Sequence, residues 1–466
     1  MTATSLNAAD FGLTPGASSD QSNILNTAID AAATQRLPLF IPAGTYRITE
    51  AVVDKAVEIY AQSGSAAFIP VSGSETCRFA IAPASGRLAD VTLRGLRIDG
   101  QHAPFPNGYG TPGLINASKC DRLQIIDCQV VNSGASGLFL WQCGGRVQGC
   151  EANGNASRGI FSVDATGLSI LSNRLDGNQD NGIAVWRYSI GRDGTIVRGN
   201  RIRNTGNVSG GTGQYGNGFS SYRANNLIVA ENEITSSAFS AIRLNSCSAS
   251  QVINNQCFDA PEVAIYVEAP NGSSNPAIVY DGGIVSGNIV DLCGVGISVT
   301  NVDAGGRRAV VANNQVTRAR NNTITYPGGS YQTYGKGIGG QGDVLITGNM
   351  VEDVEAFGIS VFPTNVNSGK LGNQKIFDSV TGNTVKKCGG GIALVNSDAN
   401  HGRILVGGNI INDYKTDGSG VSGAIVRATY NGATDSVQRV PGSPDLGNDT
   451  TSSLSNVVLY RNYAFN

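Results

Sequence analysis

Three features of the sequence predict an all-β protein, a single-stranded right-handed parallel β-helix capped by an N-terminal helix. A short strand motif recurs, an asparagine recurs between its copies, and the composition is rich in glycine (62 residues) and poor in charge (15%). The motif is clearest between Gly159 and Glu268, where it occurs five times: Gly159-Ile160-Phe161-Ser162-Val163, Gly182-Ile183-Ala184-Val185-Trp186, Gly218-Phe219-Ser220-Ser221-Tyr222, Ala241-Ile242-Arg243-Leu244-Asn245 and Ala264-Ile265-Tyr266-Val267-Glu268. A small residue leads, then an apolar anchor. Alternation along a strand sends the anchor and the residue two beyond it to one side and the intervening residues to the other. The outer row then reads Phe161, Val163, Ala184, Trp186, Ser220, Tyr222, Arg243, Asn245, Tyr266 and Glu268, the floor of a binding groove.

Residues 1–50 form the cap and the first strands. Ile24, Leu25, Ala28, Ile29 and Ala32 fall on one helical face, with Asp20 as N-cap, and can seal the first coil against water. Strands Pro38–Pro42 and Thr45–Ile48 follow around the turn Ala43-Gly44. Residues 90–427 are repeat coils, with anchors at Leu114, Leu138, Ile160, Ile183, Phe219, Ile242, Ile265, Ile297, Ile338, Ile359, Ile392 and Ile425. The closest of these are roughly 21–24 residues apart, one coil per unit. Between them Asn173, Asn200, Asn232, Asn255, Asn288, Asn314, Asn349, Asn383 and Asn409 predict an asparagine ladder. Asn tolerates a left-handed backbone, and its amide can bond the coils on either side. Cys128 and Cys150 hold that slot in two early coils. Segments 203–217 and 318–336 are insertions expected to lie over the outer row. Residues 428–466 read as a polar excursion and a last strand near Asn456–Tyr460. With one continuous core expected, 1–466 reads as one domain. A leucine-rich repeat is the rival architecture, but its Leu-x-x-Leu-x-Leu pattern is absent.

Composition narrows the function. A net charge of −2 gives no global basic field for nucleic acid. No apolar run approaches the ~18–20 residues of a membrane span. Nine cysteines without a CxxC point to buried free thiols rather than a disulfide scaffold, and two histidines make a polyhistidine metal site or a Ser-His-Asp triad improbable. The start, Met1-Thr2-Ala3-Thr4-Ser5, does not read as a signal peptide, which leaves a cytoplasmic protein or one with a trimmed export signal.

The segments Ala9-Asp10-Phe11-Gly12 and Phe40-Ile41-Pro42-Ala43-Gly44-Thr45-Tyr46-Arg47-Ile48 resemble the start of pectate-lyase-superfamily β-helix proteins. Gly159–Leu168, Gly211–Gly218 and Gly296-Ile297-Ser298-Val299-Thr300-Asn301 resemble the twin-arginine-translocated repeat family of alphaproteobacteria. The second resemblance implies a folded, periplasmic or secreted protein and carries no activity. The superfamily consists mostly of polysaccharide lyases, glycoside hydrolases and epimerases, which sets an expectation at the level of fold.

The outer row supplies the candidate chemistry. Trp186 and Tyr222 hold equivalent positions in adjacent coils, ~5 Å apart, and flat aromatic faces suit sugar rings. Arg187 and Arg223 follow them, and Arg243 lies one coil on. Three guanidinium groups favour carboxylate or sulfate on the ligand. The bland alternatives are aromatics buried beneath a loop and arginines neutralised by Asp180, Asp193 or Glu268. Asn245, Gln214, Asn217 and Asp164 are the polar substrate contacts. Glu268 is the first carboxylate candidate by register, with Tyr266 on its face and Asp180 and Glu262 projecting from a rim three residues before an anchor. A pair of carboxyls about 5–9 Å apart would serve hydrolysis. β-Elimination would instead use Arg243, Arg223, Tyr266 or Tyr222 at a uronate, with Lys336 as a second base. Calcium could hold the uronate carboxylate in an elimination, but no dense Asp cluster accompanies these residues. The function expected is therefore cleavage of glycosidic bonds in an acidic extracellular or cell-envelope polysaccharide, with no cofactor. The alternative is a non-catalytic glycan-binding or envelope scaffold.

Overall fold

The strands of this chain pair with the strands one coil away. Each coil is built from short strands too weak to stand alone, so stacking is what buries their apolar faces. The computed structural model describes residues 5–73, 76–105, 112–268, 281–300, 308–362, 377–395, 402–431, 436–447 and 456–465. Asn301 and residues 432–435 and 448–455 of the expected tail excursion lie outside them. The architecture is an all-β, right-handed parallel β-helix with one α-helix among the described residues. That helix is not long and apolar enough to cross a membrane. The chain divides into two compact units, Met1–Ser209 and Gly210–Asn466.

In the first unit, helix Ser22–Gln35 buries Leu25, Ala28, Ile29 and Ala32, the face its periodicity predicts. The N-cap residue is Gln21 rather than Asp20, and Gln21 makes no side-chain cap. Asp20 still satisfies the first turn, accepting from the Ser22 N–H at 2.9 Å, and it ties the helix start to Thr49 Oγ1 at 2.8 Å. Eight short parallel strands, from Leu6–Asn7 to Ile196–Arg198, follow one another up one sheet. On another face the register runs Phe79, Ile115, Leu138, Ile160, Ile183, all fully buried. Leu114 is therefore one residue out of register: Gly113 pairs with Ser136, which makes Ile115 the anchor.

In the second unit the anchors align as read, from Phe219 through Ile242, Ile265, Ile297, Ile338, Ile359 and Ile392 to Ile425. Where the residue before an anchor is glycine, the choice has a steric cause. A Cβ on Gly218 would stand 2.4 Å from Ile234 Cγ2 and 2.8 Å from the Ala241 carbonyl, and one on Gly296 would stand 2.3 Å from Val316 Cγ1. The last described strands include Val457–Tyr460, paired in parallel with Arg403–Gly407.

The asparagine ladder is present in both units. In the second, each buried amide nitrogen from Asn232 to Asn409 donates to the amide oxygen of the next ladder Asn at 2.9–3.0 Å, ending on Asn462. In the first, Asn173 donates to Asn200 at 2.9 Å, and the Cys150 N–H donates to Asn173 at 2.9 Å. A second rung, Asn155 to Asn178 at 2.8 Å, escaped the sequence reading. The ladder asparagines do not themselves take the left-handed backbone that the sequence suggests. The left-handed residue is the one before each: Glu231 (φ 56°), Asn254 (57°), Gly287 (68°) and Asn313 (56°). That explains the recurrent Gly-Asn and Asn-Asn pairs, since the first residue takes the strained φ and the second makes the ladder. All nine cysteines are buried free thiols.

Candidate functional site

The outer row is not an open groove floor. Phe161, Val163 and Ala184 form a buried apolar cluster in the first unit, with Phe139, Trp141 and Trp186 packed against it. Trp186 meets Phe161 edge-on at 5.0 Å, and the buried Arg158 guanidinium covers it at 4.9 Å. These side chains share the face that alternation predicts, and the aromatics are large enough to bury one another there. Trp186 belongs to the first unit and Tyr222 to the second, where Arg223 stacks on Tyr222 at 4.7 Å.

The arginines expected to act together are engaged separately. Arg187 turns back to the carbonyls of Ser189 and Ala165, both at 3.3 Å, and lies 3.6 Å from Asp193. Asp164 sits in a left-handed turn (φ 51°) and accepts from the Tyr188 N–H at 3.1 Å. Asp180 does not project from a rim. It is fully buried, and its two oxygens accept from Ser209 N at 2.9 Å, Ser209 Oγ at 2.7 Å and Ser157 Oγ at 2.8 Å. Asn217 is likewise buried, bonding the Tyr215 carbonyl at 3.0 Å, whereas Gln214 is exposed.

The second unit does bring predicted residues together. Strand Ile242–Asn245 pairs with the end of Gln256–Glu268, setting Arg243 beside Tyr266 and Asn245 beside Glu268. A register shift between Ala260 and Val263 puts Pro261 and Glu262 in a bulge, which re-aims Glu262 toward the same cation. Arg243, 7% exposed, donates through Nε to Glu268 Oε1 at 2.8 Å, and Nη2 lies 2.7 Å from that oxygen. Its Nη1 lies 3.4 Å from both oxygens of Glu262, and its guanidinium covers the Tyr266 ring at 4.7 Å. Two carboxylates thus share one guanidinium, with a phenol against it.

The two carboxylates differ in what they have left to offer. Glu262, 5% exposed, is saturated: Oε1 accepts from Tyr331 OH at 2.8 Å and from Thr212 Oγ1, and Oε2 accepts from Ser240 Oγ at 2.7 Å. It is not a free acid on a rim, because the bulge turns it inward under these donors. Glu268, 9% exposed, takes all its bonds on Oε1, the third from Asn245 Nδ2 at 2.9 Å. Its Oε2 has no hydrogen bond among the described residues.

Charge follows from this packing. Burial opposes the Arg243 charge, but Glu262 and Glu268 outweigh it and hold the guanidinium above its ordinary value. Burial, then the Glu268 charge, push the Tyr266 phenol well above its ordinary range, so at neutral pH it is a proton donor and not a base. Burial and then Glu262 do the same to Tyr331.

Thr212, Ser240 and Tyr331 were not singled out from sequence. Tyr331 belongs to the antiparallel hairpin Asn322–Tyr326 and Gly329–Thr333, inside the 318–336 insertion. The hairpin is moored by Thr333 Oγ1 to the Pro261 carbonyl at 3.0 Å and by Tyr326 against Phe239 at 6.3 Å. Its alternation of Ile324, Tyr326, Tyr331 and Thr333 with exposed Thr323, Thr325 and Gln332 was the available signal. Lys336 lies 6.0 Å from the Tyr430 ring. Among the described residues no group of three His, Cys, Asp or Glu is placed to hold a metal.

A family model described as right-handed beta helix region matches residues 89–257, and one described as rhamnogalacturonase A/epimerase, pectate lyase-like, matches residues 5–85. No curated protein matches the chain. Among solved structures, the catalytic unit of a thermostable GH87 alpha-1,3-glucanase from Streptomyces thermodiastaticus aligns with a TM-score of 0.52 and 12% identity, over 94% of this chain and 72% of that one. The pre-mature bacteriophage phi29 gene product 12 aligns with a TM-score of 0.56 and 12% identity, over 91% of this chain and 66% of its own. At such identity the likeness is one of fold. Together these matches support the parallel β-helix superfamily, with a pectate-lyase-like N-terminal segment.

Proposed function

We propose that this protein cleaves glycosidic bonds in an acidic polysaccharide at the Arg243–Glu268–Tyr266 cluster. The observation that carries the reading is the asymmetry of Glu268: Oε1 is fixed by Arg243 and Asn245 while Oε2 is unengaged among the described residues. A carboxylate held by one oxygen and open at the other is positioned to take a proton from water or to attack an anomeric carbon. Tyr266, kept as a phenol, is the partner proton donor. Glu262 acts through Arg243 as a positioning residue and fixed counter-charge. Burying a shared guanidinium between two carboxylates costs desolvation that a purely structural coil has no need of, which favours a functional origin. Asn245 and its register partner Tyr222 are substrate contacts, with Arg223 and the exposed Gln214 as further polar contacts.

A glycan-binding or scaffold role is favoured by a different observation, the near-complete enclosure of Glu262 and Arg243. Incubation with a panel of acidic and neutral bacterial polysaccharides separates the two. New reducing ends indicate hydrolysis, ultraviolet absorbance of unsaturated uronates indicates elimination, and neither product with retained binding would leave only the second role. We further propose membership of the twin-arginine-translocated repeat family and an exported location, on the sequence resemblance of Gly159–Leu168, Gly211–Gly218 and Gly296–Asn301.

A further inference from the structure

We propose a second, anion-selective sugar-binding cleft built wholly within the first unit, at Tyr188 and Arg192. Strand Asn181–Arg192 is longer than its neighbour: Asn181–Trp186 pairs with Arg158–Val163, and the remainder runs on past the coil. This extension walls a cleft of about 720 Å³, within the ~300–1,000 Å³ usual for small-ligand sites. The lining charges are not equivalent. Arg87 is held by Asp121 at 2.6 Å and the Gln142 carbonyl at 2.7 Å. Arg187 is held by its two carbonyls and Asp193, which is itself only 3% exposed and bonded to Thr195. Asp164 is bound to the Tyr188 N–H. Arg192 remains, exposed and without a hydrogen bond or ion pair among the described residues.

Beside it Tyr188 is 70% exposed, more than any other large hydrophobic among the described residues. A large aromatic held in solvent on an ordered strand marks a contact surface. A planar guanidinium suits a carboxylate or sulfate, and a phenol face suits a sugar ring. The ligand class is therefore an anionic oligosaccharide. The cleft does not depend on cleavage in the second unit.

Titration calorimetry tests this with three probes, tetragalacturonate, a sulfated galactan tetrasaccharide and neutral maltotetraose. The Glu268→Gln background prevents consumption of the probe if the second unit is catalytic. At least one anionic probe should bind, maltotetraose should not, and the affinity should fall as NaCl rises. Adding Tyr188→Ala and Arg192→Ala should weaken that binding at least tenfold, with circular dichroism showing the coil retained. The cleft is refuted if neither anionic probe binds, if maltotetraose binds equally well, or if the added substitutions leave the affinity unchanged. Cleavage by the unmodified protein is scored separately, so loss of either proposal leaves the other standing.

Discussion

Replacing Asn255 by alanine should destabilise the second unit by roughly 2–4 kcal/mol. Its Oδ1 accepts from the Asn232 backbone N–H at 3.0 Å and from Asn232 Nδ2 at 2.9 Å. Its Nδ2 donates to the Val229 carbonyl at 2.9 Å and to Asn288 Oδ1 at 3.0 Å. Alanine strands the buried Asn232 N–H, at ~1–3 kcal/mol, and removes side-chain bonds worth ~0.5–1.5 kcal/mol each, part of which the neighbouring amides recover by re-pairing. Urea unfolding measures the total, and hydrogen exchange at the Asn232 amide locates it. Stacked coils couple to nearest neighbours, so protection should fall first in the coils holding Asn232 and Asn288. Gln251→Ala, exposed in the same coil, is the control and should stay within ~0.5 kcal/mol. An Asn255→Ala effect no larger than that of the control would mean that the ladder does not hold the coils together.

Two further outcomes follow from the packing. Asp378 is fully buried in the slot that Ile404 fills in the next coil, and burial raises its carboxyl to about 7. A raised folded value favours the protonated form, so its contribution is complete below the unfolded pKa of ~3.9 and is lost as pH rises through about 7; Asp378→Asn, compared with the parent by melting temperature at pH 5 and pH 8, should gain relative stability at the higher pH, and a pH-independent difference would count against this. Tyr331→Phe removes the phenol from Glu262 and should cost ~0.5–2 kcal/mol while speeding hydrogen exchange in hairpin 322–333; unchanged exchange there would show that the bond does not moor the hairpin.

The fold was legible because it repeats. A small residue, an apolar anchor and a ladder asparagine recur in coil after coil, so one misplaced anchor, Leu114, barely disturbs the alignment. The enclosure of the outer row was not legible. Alternation says which side Arg243 and Glu268 face; what covers that side is decided by Thr212 and Tyr331, 31 residues before Arg243 and 69 residues after Glu262. Asp180 and Glu262 share one offset from their anchors, yet one is bound by serines of its own unit and the other is turned onto Arg243 by a bulge that no periodicity announces. Arg187 was correctly placed next to Trp186, but its own backbone carbonyls and Asp193 claim it.

Glu268→Gln tests the central claim most directly. The amide keeps the shape of the side chain and removes its charge and basicity, and circular dichroism confirms that the coil persists. On whichever acidic polysaccharide the unmodified protein cleaves, the variant should lose at least ~100-fold in kcat, the usual contribution of a general base or nucleophile. A variant that retains more than about a tenth of the parent rate would contradict the role given to Glu268.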